Sequence, residues 1–301
     1  MSNDSQEKWL AREDVARKLQ PVRELQGVLL EILKVIDGIC SENGLQYYLF
    51  YGTLLGAMRH GGFIPWDDDA DIVMPRSDYE KLLRIPAEKW PKGYFLQSPY
   101  TEKSCRFSFA KVRKDGTACI TPEHAHIKMH QGIFVDVFPL DEVRFSGFGL
   151  WVIPRVFERM AAFSCAKLPR KMRLLSPVQK IWQMLGITPS FFSRVANLSA
   201  RIMSGHGGRY IETFNTERTF ACRRGFEVKL FDPLRRVDFE GVPLCVPAAA
   251  EQILKLFYGD WKAWPPEEDR LPVHSKGGVI DTRKDYSCYL KNGMLESAGS
   301  E

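Results

Sequence analysis

From Tyr51 to Met74 the chain reads Tyr51-Gly-Thr-Leu-Leu-Gly-Ala-Met-Arg-His-Gly-Gly-Phe-Ile-Pro-Trp-Asp-Asp-Asp-Ala-Asp-Ile-Val-Met74, a small-residue turn, an arginine and four aspartates ahead of an apolar stretch. Charge at that density cannot be buried unpaired, so a fold that buries this segment must bring something cationic to it. The apolar run Tyr47-Tyr-Leu-Phe-Tyr51 reads as a buried strand, and Gly52-Thr53 opens a short helix through Arg59. Backbone N–H groups at such a helix start form a natural phosphate cradle, which makes Gly52 and Thr53 binding candidates. After the Gly61-Gly62 turn, Asp69-Ala-Asp-Ile-Val-Met74 reads as a second strand, and its alternation puts Asp69 and Asp71 on one face. Two neighbouring carboxylates repel unless a divalent cation neutralises them, and hard oxygen ligands suit Mg²⁺.

Two blander readings compete. Charged runs usually face water, but Ile72-Val-Met74 sets Asp69 and Asp71 at the mouth of a buried strand. A calcium loop would use Asp67, Asp69 and Asp71 as its first, third and fifth ligands, yet it needs glycine sixth and glutamate twelfth, where the chain has Ile72 and Asp78. A third carboxylate, Asp136, lies within the apolar run Phe134-Val-Asp-Val-Phe138, where burial without a cation or several donors is costly. Its structural alternative is to cap a turn from inside. A strand-borne Asp-x-Asp, a third strand Asp and Gly-Thr at a helix start make the constellation that holds two magnesium ions and a nucleotide's phosphates for in-line phosphoryl chemistry.

Around this segment the chain reads as mixed. Apolar residues at helical spacing from Val22 to Ile39 predict an amphipathic helix over about Glu13 to Asn43. A helix near Ser77–Leu83 is expected, with Ser77 as N-cap and Glu80 completing a capping box. Phe107–Arg113 and Ile133–Phe138 read as strands, Tyr210–Phe231 and Val237–Val246 as mixed strand sequence, and Ala248–Tyr258 as a helix. Lys111 and Arg113, at alternate positions of one strand, share a face and suit a phosphate clamp; the alternative is a pair of solvated side chains on an edge strand. His130 and His274 are isolated and read as structural. The seven scattered cysteines lack a Cys-x-x-Cys pair and read as reduced thiols of a cytoplasmic protein, with neither a disulfide framework nor a zinc site. The polar N-terminus predicts no signal peptide, no apolar run reaches spanning length, and the last ten or so residues are expected to fray.

Taken together, Tyr51–Gly62 through Ile64-Pro-Trp-Asp-Asp-Asp-Ala-Asp-Ile72, Phe109-Ala-Lys-Val-Arg113, Gly132-Ile-Phe-Val-Asp-Val-Phe-Pro-Leu-Asp141 and, more weakly, Tyr258-Gly-Asp-Trp261 with Pro265-Pro266 resemble the LicD family. These are phosphotransferases of the nucleotidyltransferase superfamily, similar also to fukutin and fukutin-related protein. The resemblance implies an α+β fold: a nucleotidyltransferase-like mixed β-sheet core flanked by helices, with a helical insertion. The expected division is a catalytic core over 1–142, an insertion over 143–209, and a C-terminal α/β part over 210–301 that completes the same domain. It also implies Mg²⁺- or Mn²⁺-dependent transfer of a phospho-alcohol such as phosphocholine from a CDP-linked donor to a glycan acceptor, releasing CMP. Carried over, Gly52 and Thr53 become the phosphate turn, Asp69 and Asp71 the metal pair, Asp136 the third carboxylate and metal ligand or base, and Asp67 a further carboxylate for a second ion or a water. Arg59, which follows the helix that starts at the phosphate turn, is expected at the substrate; its alternative is a salt bridge to one of the aspartates. The cysteines offer no counterpart of the zinc-binding insertion of the fukutin-related branch.

The net charge of +5 is unevenly spread: from Arg144 to Arg201 ten basic side chains face the single acid Glu158, giving +9 there and −4 elsewhere. With aromatics from Phe145 to Phe192 and breaks at Pro154, Pro169, Pro177 and Pro189, this segment admits a nucleic-acid-binding reading. Three strand-borne aspartates argue against that, and no nucleic-acid partner is expected. A helical insertion lying against the anionic inner leaflet, where a lipid-linked glycan is assembled, is one expectation; a plain cover for the catalytic sheet is the other. A nucleotidyltransferase that attacks the α-phosphorus and releases pyrophosphate shares the fold and metals, and differs in its product.

Overall fold

A computed structural model of the chain describes residues 9–143, 152–168, 174–205, 208–212, 225–272, 277–291 and 294–295. In chain order these form α1 (Glu13–Asn43), β1 (Tyr48–Leu49), α2 (Tyr51–His60), β2 (Asp71–Pro75), α3 (Arg76–Leu82), β3 (Tyr94–Gln97), β4 (Ala110–Lys114), β5 (Ala118–Ile120), β6 (Phe134–Val143), α4 (Val152–Cys165), α5 (Ser176–Met184), α6 (Pro189–Met203), β7 (Arg209–Glu212), β8 (Phe226–Glu227), β9 (Arg235–Phe239), β10 (Val242–Val246), α7 (Ala250–Tyr258), β11 (Val279–Asp281), β12 (Leu290–Lys291) and β13 (Met294–Leu295).

The apolar stripe of α1 explains its place. Leu29, Ile32, Leu33 and Ile36 are almost wholly buried, and they join β1, β2, β4 and β6 residues in one core. A helix of that length is held by such a face more than by propensity. It ends at Gly44, whose φ of 62° is left-handed and lets its N–H reach the last carbonyls.

The main sheet runs β1-β2-β6-β4-β3. β2 and β6 are parallel and the other pairs antiparallel, so the sheet is mixed. Beyond Pro139, β6 pairs with β7, which returns from the three helices α4–α6 and pairs in turn with β8. A second hairpin, β9–β10, packs its Phe239, Leu244 and Val246 into the same core, and β11 pairs with β5. The mixed α+β architecture with helices inserted between β6 and β7 is the one expected.

Several boundaries shift. α3 begins at Arg76 after Pro75, with no side-chain cap, so Ser77 lies inside the first turn and the expected capping box does not form. Arg76 uses that position to pair with the buried Asp141, both guanidinium contacts at 2.7 Å. The first Lys/Arg strand starts at Ala110, not Phe107, and it is internal, between β6 and β3, so Lys111 and Arg113 are buried and not solvated. Six cysteines are free thiols, while Cys222, His274, the Arg170–Arg173 basic run and the last residues lie outside the described residues. Among the described residues no helix is long and apolar enough to cross a membrane.

Candidate active site

The strand register assembles the site. Asp71 on β2 pairs with Asp136 on β6, Asp136 with Lys111 on β4, and Lys111 with Gln97 on β3. Directly opposed residues raise their side chains on one face of a sheet, so two carboxylates, an ammonium and an amide form a row across four adjacent strands. Main-chain bonds pin the row's acidic end: Phe50 N–H donates to Asp71 O and Asp136 N–H to Ala70 O, each at 3.0 Å.

Above the row lies a cavity of about 490 Å³. Asp68, Asp69, Asp71, Lys111, Arg113 and Asp136 line it from the sheet and the β2 approach. Phe107, Phe109, Phe134 and Phe138 form an aromatic wall, Leu25 and Leu29 of α1 an aliphatic one, and Thr121, His124 and Gln131 close it from the loop after β5.

Lys111 and Asp136 form a close ion pair with side chains 5% and 17% exposed. Burial dominates both: it pushes the Asp136 carboxyl above its ordinary value and the Lys111 ammonium below its own, while the pairing opposes each shift. The nearby Asp69 raises Asp136 further. The Lys111 ammonium also lies 3.6 Å from the centroid of Phe134, 4.6 Å from Phe107 and 5.1 Å from Phe109. Ring faces of negative potential thus supply part of the solvation that water cannot. Arg113, buried two residues along, donates to Gln97 Oε1 and to Gly132 O at 2.6 Å each. Burial lowers its pKa as well.

The remaining sequence candidates are positioned differently. Thr53 is buried, and its hydroxyl accepts the Asp71 N–H at 2.8 Å, tying α2 to the Asp-x-Asp strand. A Cβ at Gly52 would stand 2.6 Å from Asp67 Oδ2, so glycine is what lets this carboxylate approach the first turn of α2. Asp67 therefore sits where the sequence reserved a place for a phosphate, favoured by the positive end of the helix, and does not line the cavity. The turn from β1 into α2 is tight enough to hold Tyr51 at φ 46°, a conformation bulky residues avoid. Arg59 does not line the cavity. Its guanidinium donates to the carbonyls of Trp261 and Ala263 at 3.2 and 3.0 Å and its Nε to His60, anchoring the segment after α7. His130 is structural, as its isolation suggested: it bonds Asp115 and stacks on Phe95.

The sequence reading missed His124, Thr121 and Gln131, which come from an irregular loop without periodicity, and passed over Asp68, whose adjacency to Asp69 was the available signal. The donor chemistry suits an oxygen-preferring divalent cation, with Asp69 and Asp71 on the cavity and Asp136 beside them. As the side chains stand, no three His, Cys, Asp or Glu groups among the described residues converge on one ion position. Asp136 is engaged by Lys111, and Asp67 is turned to α2.

Comparisons with known proteins bear on this site. Residues 44–154, which span β1 to β6 and every carboxylate discussed, match the LicD/FKTN/FKRP nucleotidyltransferase domain family. The lipopolysaccharide cholinephosphotransferase LicD of Haemophilus influenzae is 24% identical over 86% of this chain and 98% of its own length. The human ribitol 5-phosphate transferase FKRP is 46% identical over 25% of this chain and 18% of its own. Mannosyltransferase regulator 4 of Saccharomyces cerevisiae is 24% identical over 38% of this chain and 10% of its own.

Proposed function

We propose, from the LicD/FKTN/FKRP nucleotidyltransferase domain matched over residues 44–154 and the similarity to LicD along most of the chain, that this protein is a LicD-type phosphotransferase that transfers a phospho-alcohol, phosphocholine in the first instance, from a CDP-linked donor to a cell-surface glycan such as lipopolysaccharide, releasing CMP. The observation that carries this reading is the row Asp71–Asp136–Lys111 beneath a cavity that Asp69 and Arg113 also line. Phospho-alcohol transfer accords with the names of the bacterial and human relatives; the bacterial name adds a lipopolysaccharide acceptor, and near-complete coverage of that relative favours phosphocholine.

An acceptor hydroxyl attacks the phosphorus that bears the alcohol, the bond from that phosphorus to the bridging oxygen breaks, and CMP departs with the electron pair. The hydroxyl proton goes to Asp136 Oδ2, the oxygen that Lys111 does not hold; a carboxylate whose proton affinity is raised by burial is suited to take it. Lys111 and Arg113 set positive charge beside the transferred group and restrain its orientation. Asp69 and Asp71, with Asp136, are the residues that would hold Mg²⁺ or Mn²⁺, and a bound ion would neutralise charge on the donor phosphates.

The test is to incubate the purified protein with CDP-choline, CDP-ribitol or CDP-glycerol, Mg²⁺ and a bacterial glycan extract. Products are weighed by mass spectrometry while CMP and pyrophosphate are assayed. The expected result is CMP formed in step with glycan carrying one phospho-alcohol. Pyrophosphate in its place, or no CMP from any donor, overturns the proposal.

A further inference from the structure

The helices between β6 and β7 carry many of their large apolar side chains toward water. α6 turns Ser190, Ser193, Ala196, Asn197 and Ala200 inward with Phe192. Its outward side presents Phe191, Leu198 and Ile202, which are 50, 52 and 73% exposed. In α5 no residue is buried. Val178 and Ile181 within it, with Leu174 just before its N-cap and Leu185 at its C-cap, follow at intervals of four, three and four residues and make one apolar stripe whose ends are 90 and 69% exposed. Trp182 makes the inward contact, against Phe163 and Phe192. Twelve of the fifteen large apolar side chains exposed among the described residues fall between Val152 and Ile202. Singly exposed apolar residues are ordinary, but a concentration of this kind marks a surface that something apolar covers.

Charge selects the covering partner. Exposed Arg159, Lys167, Lys180, Arg194 and Arg201 are interspersed with these side chains, in a segment of net charge +9. A second copy of the chain would set +9 against +9. An anionic bilayer meets both demands, taking apolar side chains into the acyl boundary and basic ones at the phosphate level. α5, at nine residues about 14 Å long, can lie on such a surface but not cross it.

We infer that α4–α6 form an interfacial platform that seats the protein on an anionic phospholipid bilayer. The platform is tied to the catalytic wall. Asn197 Nδ2 donates to the Ser108 carbonyl between Phe107 and Phe109, and Asn197 Oδ1 accepts from Arg76. Ser204 Oγ donates to Asp141. Seating the platform therefore fixes how the cavity faces the membrane. This inference does not depend on which group is transferred.

Vesicle flotation tests it, using phosphatidylcholine vesicles with and without phosphatidylglycerol. Two variants accompany the wild type: Val178→Ser/Ile181→Ser/Leu185→Ser, which trims the exposed stripe, and Lys167→Gln/Lys180→Gln. Circular dichroism melts verify that both fold. The wild type is expected to float with anionic vesicles at low salt, to release as salt rises, and to ignore pure phosphatidylcholine. The apolar triple variant should lose about tenfold or more in partitioning, and the lysine pair several-fold. No flotation at low salt, or flotation unaffected by the triple variant, overturns the inference. So does a concentration-dependent dimer in light scattering that the triple variant dissolves, since a second copy would then be the occupant.

Discussion

Replacing Lys111 by methionine removes the buried ammonium and keeps most of its volume, leaving Asp136 without its ion-pair partner beside Asp69. Breaking a buried pair from one side typically costs about 3–5 kcal/mol. The reverse substitution, Asp136→Asn, strands the lysine instead, but its ammonium keeps the rings of Phe134, Phe107 and Phe109 at 3.6, 4.6 and 5.1 Å. Retained cation–π attraction of roughly 0.5–2 kcal/mol, with the field of Asp69, should hold that loss to about 1–3 kcal/mol. Lys111→Met is therefore expected to be the less stable variant at neutral pH, and the double variant to recover part of the loss, in equilibrium urea unfolding. The sign of the pH dependence follows from the carboxyl. In Lys111→Met the folded-state pKa of Asp136 rises further above its ordinary 3.8. Between the two values the folded state binds more protons than the unfolded one, so the penalty is full above the raised pKa and fades as pH falls toward 3.8. Equal losses for the two single variants, or a pH-independent gap, would refute the reasoning.

Asp69→Asn and Asp71→Asn should each fold normally and lower transfer by roughly 10³-fold or more, read as CMP release; near-wild-type turnover at saturating Mg²⁺ contradicts their assignment. Activity is expected to vanish with EDTA and return with Mg²⁺ or Mn²⁺, and elemental analysis that found stoichiometric zinc would count against an all-oxygen site. Burial, then Arg59, holds His60 down to about 4, and burial, then Arg106, holds His124 down to about 3, both from 6.5. The unfolded chain therefore binds protons that the folded one refuses, so stability should fall as pH drops from 6.5 toward 4. Discounted for partial exposure, His60 contributes about 1–2 kcal/mol to that slope, which His60→Gln should remove in urea titrations across pH.

What the sequence made legible follows from periodicity and local contrast. α1 spans Glu13–Asn43 as its apolar spacing predicts, because one continuous stripe faces one core. Asp71 and Asp136 were visible because one opens and the other interrupts an apolar strand, a contrast that local sequence displays. The partnership of Asp136 with Lys111 was not visible: it depends on β4 lying beside β6, a register between segments far apart in the chain. The same distance hid the fate of Arg59, whose acceptors are the carbonyls of Trp261 and Ala263, and of Asp67, whose neighbour is the Gly52 backbone. The capping expectation at Ser77 failed for a local reason: Pro75 ends the strand, α3 starts one residue early, and Arg76 goes to Asp141.

Val143, where β6 ends, is the register partner of Arg209, where β7 begins. The chain from 144 to 208 thus leaves and re-enters the sheet through a single doorway, its two posts locked as neighbours, while Asn197 and Ser204 add side contacts to Ser108, Arg76 and Asp141. By polymer statistics, widening a loop tenfold between fixed ends costs only about 2 kcal/mol. Extra residues inserted between those posts therefore cost little loop-closure entropy, and the register that sets Asp71, Asp136 and Lys111 side by side does not depend on the length of chain between them.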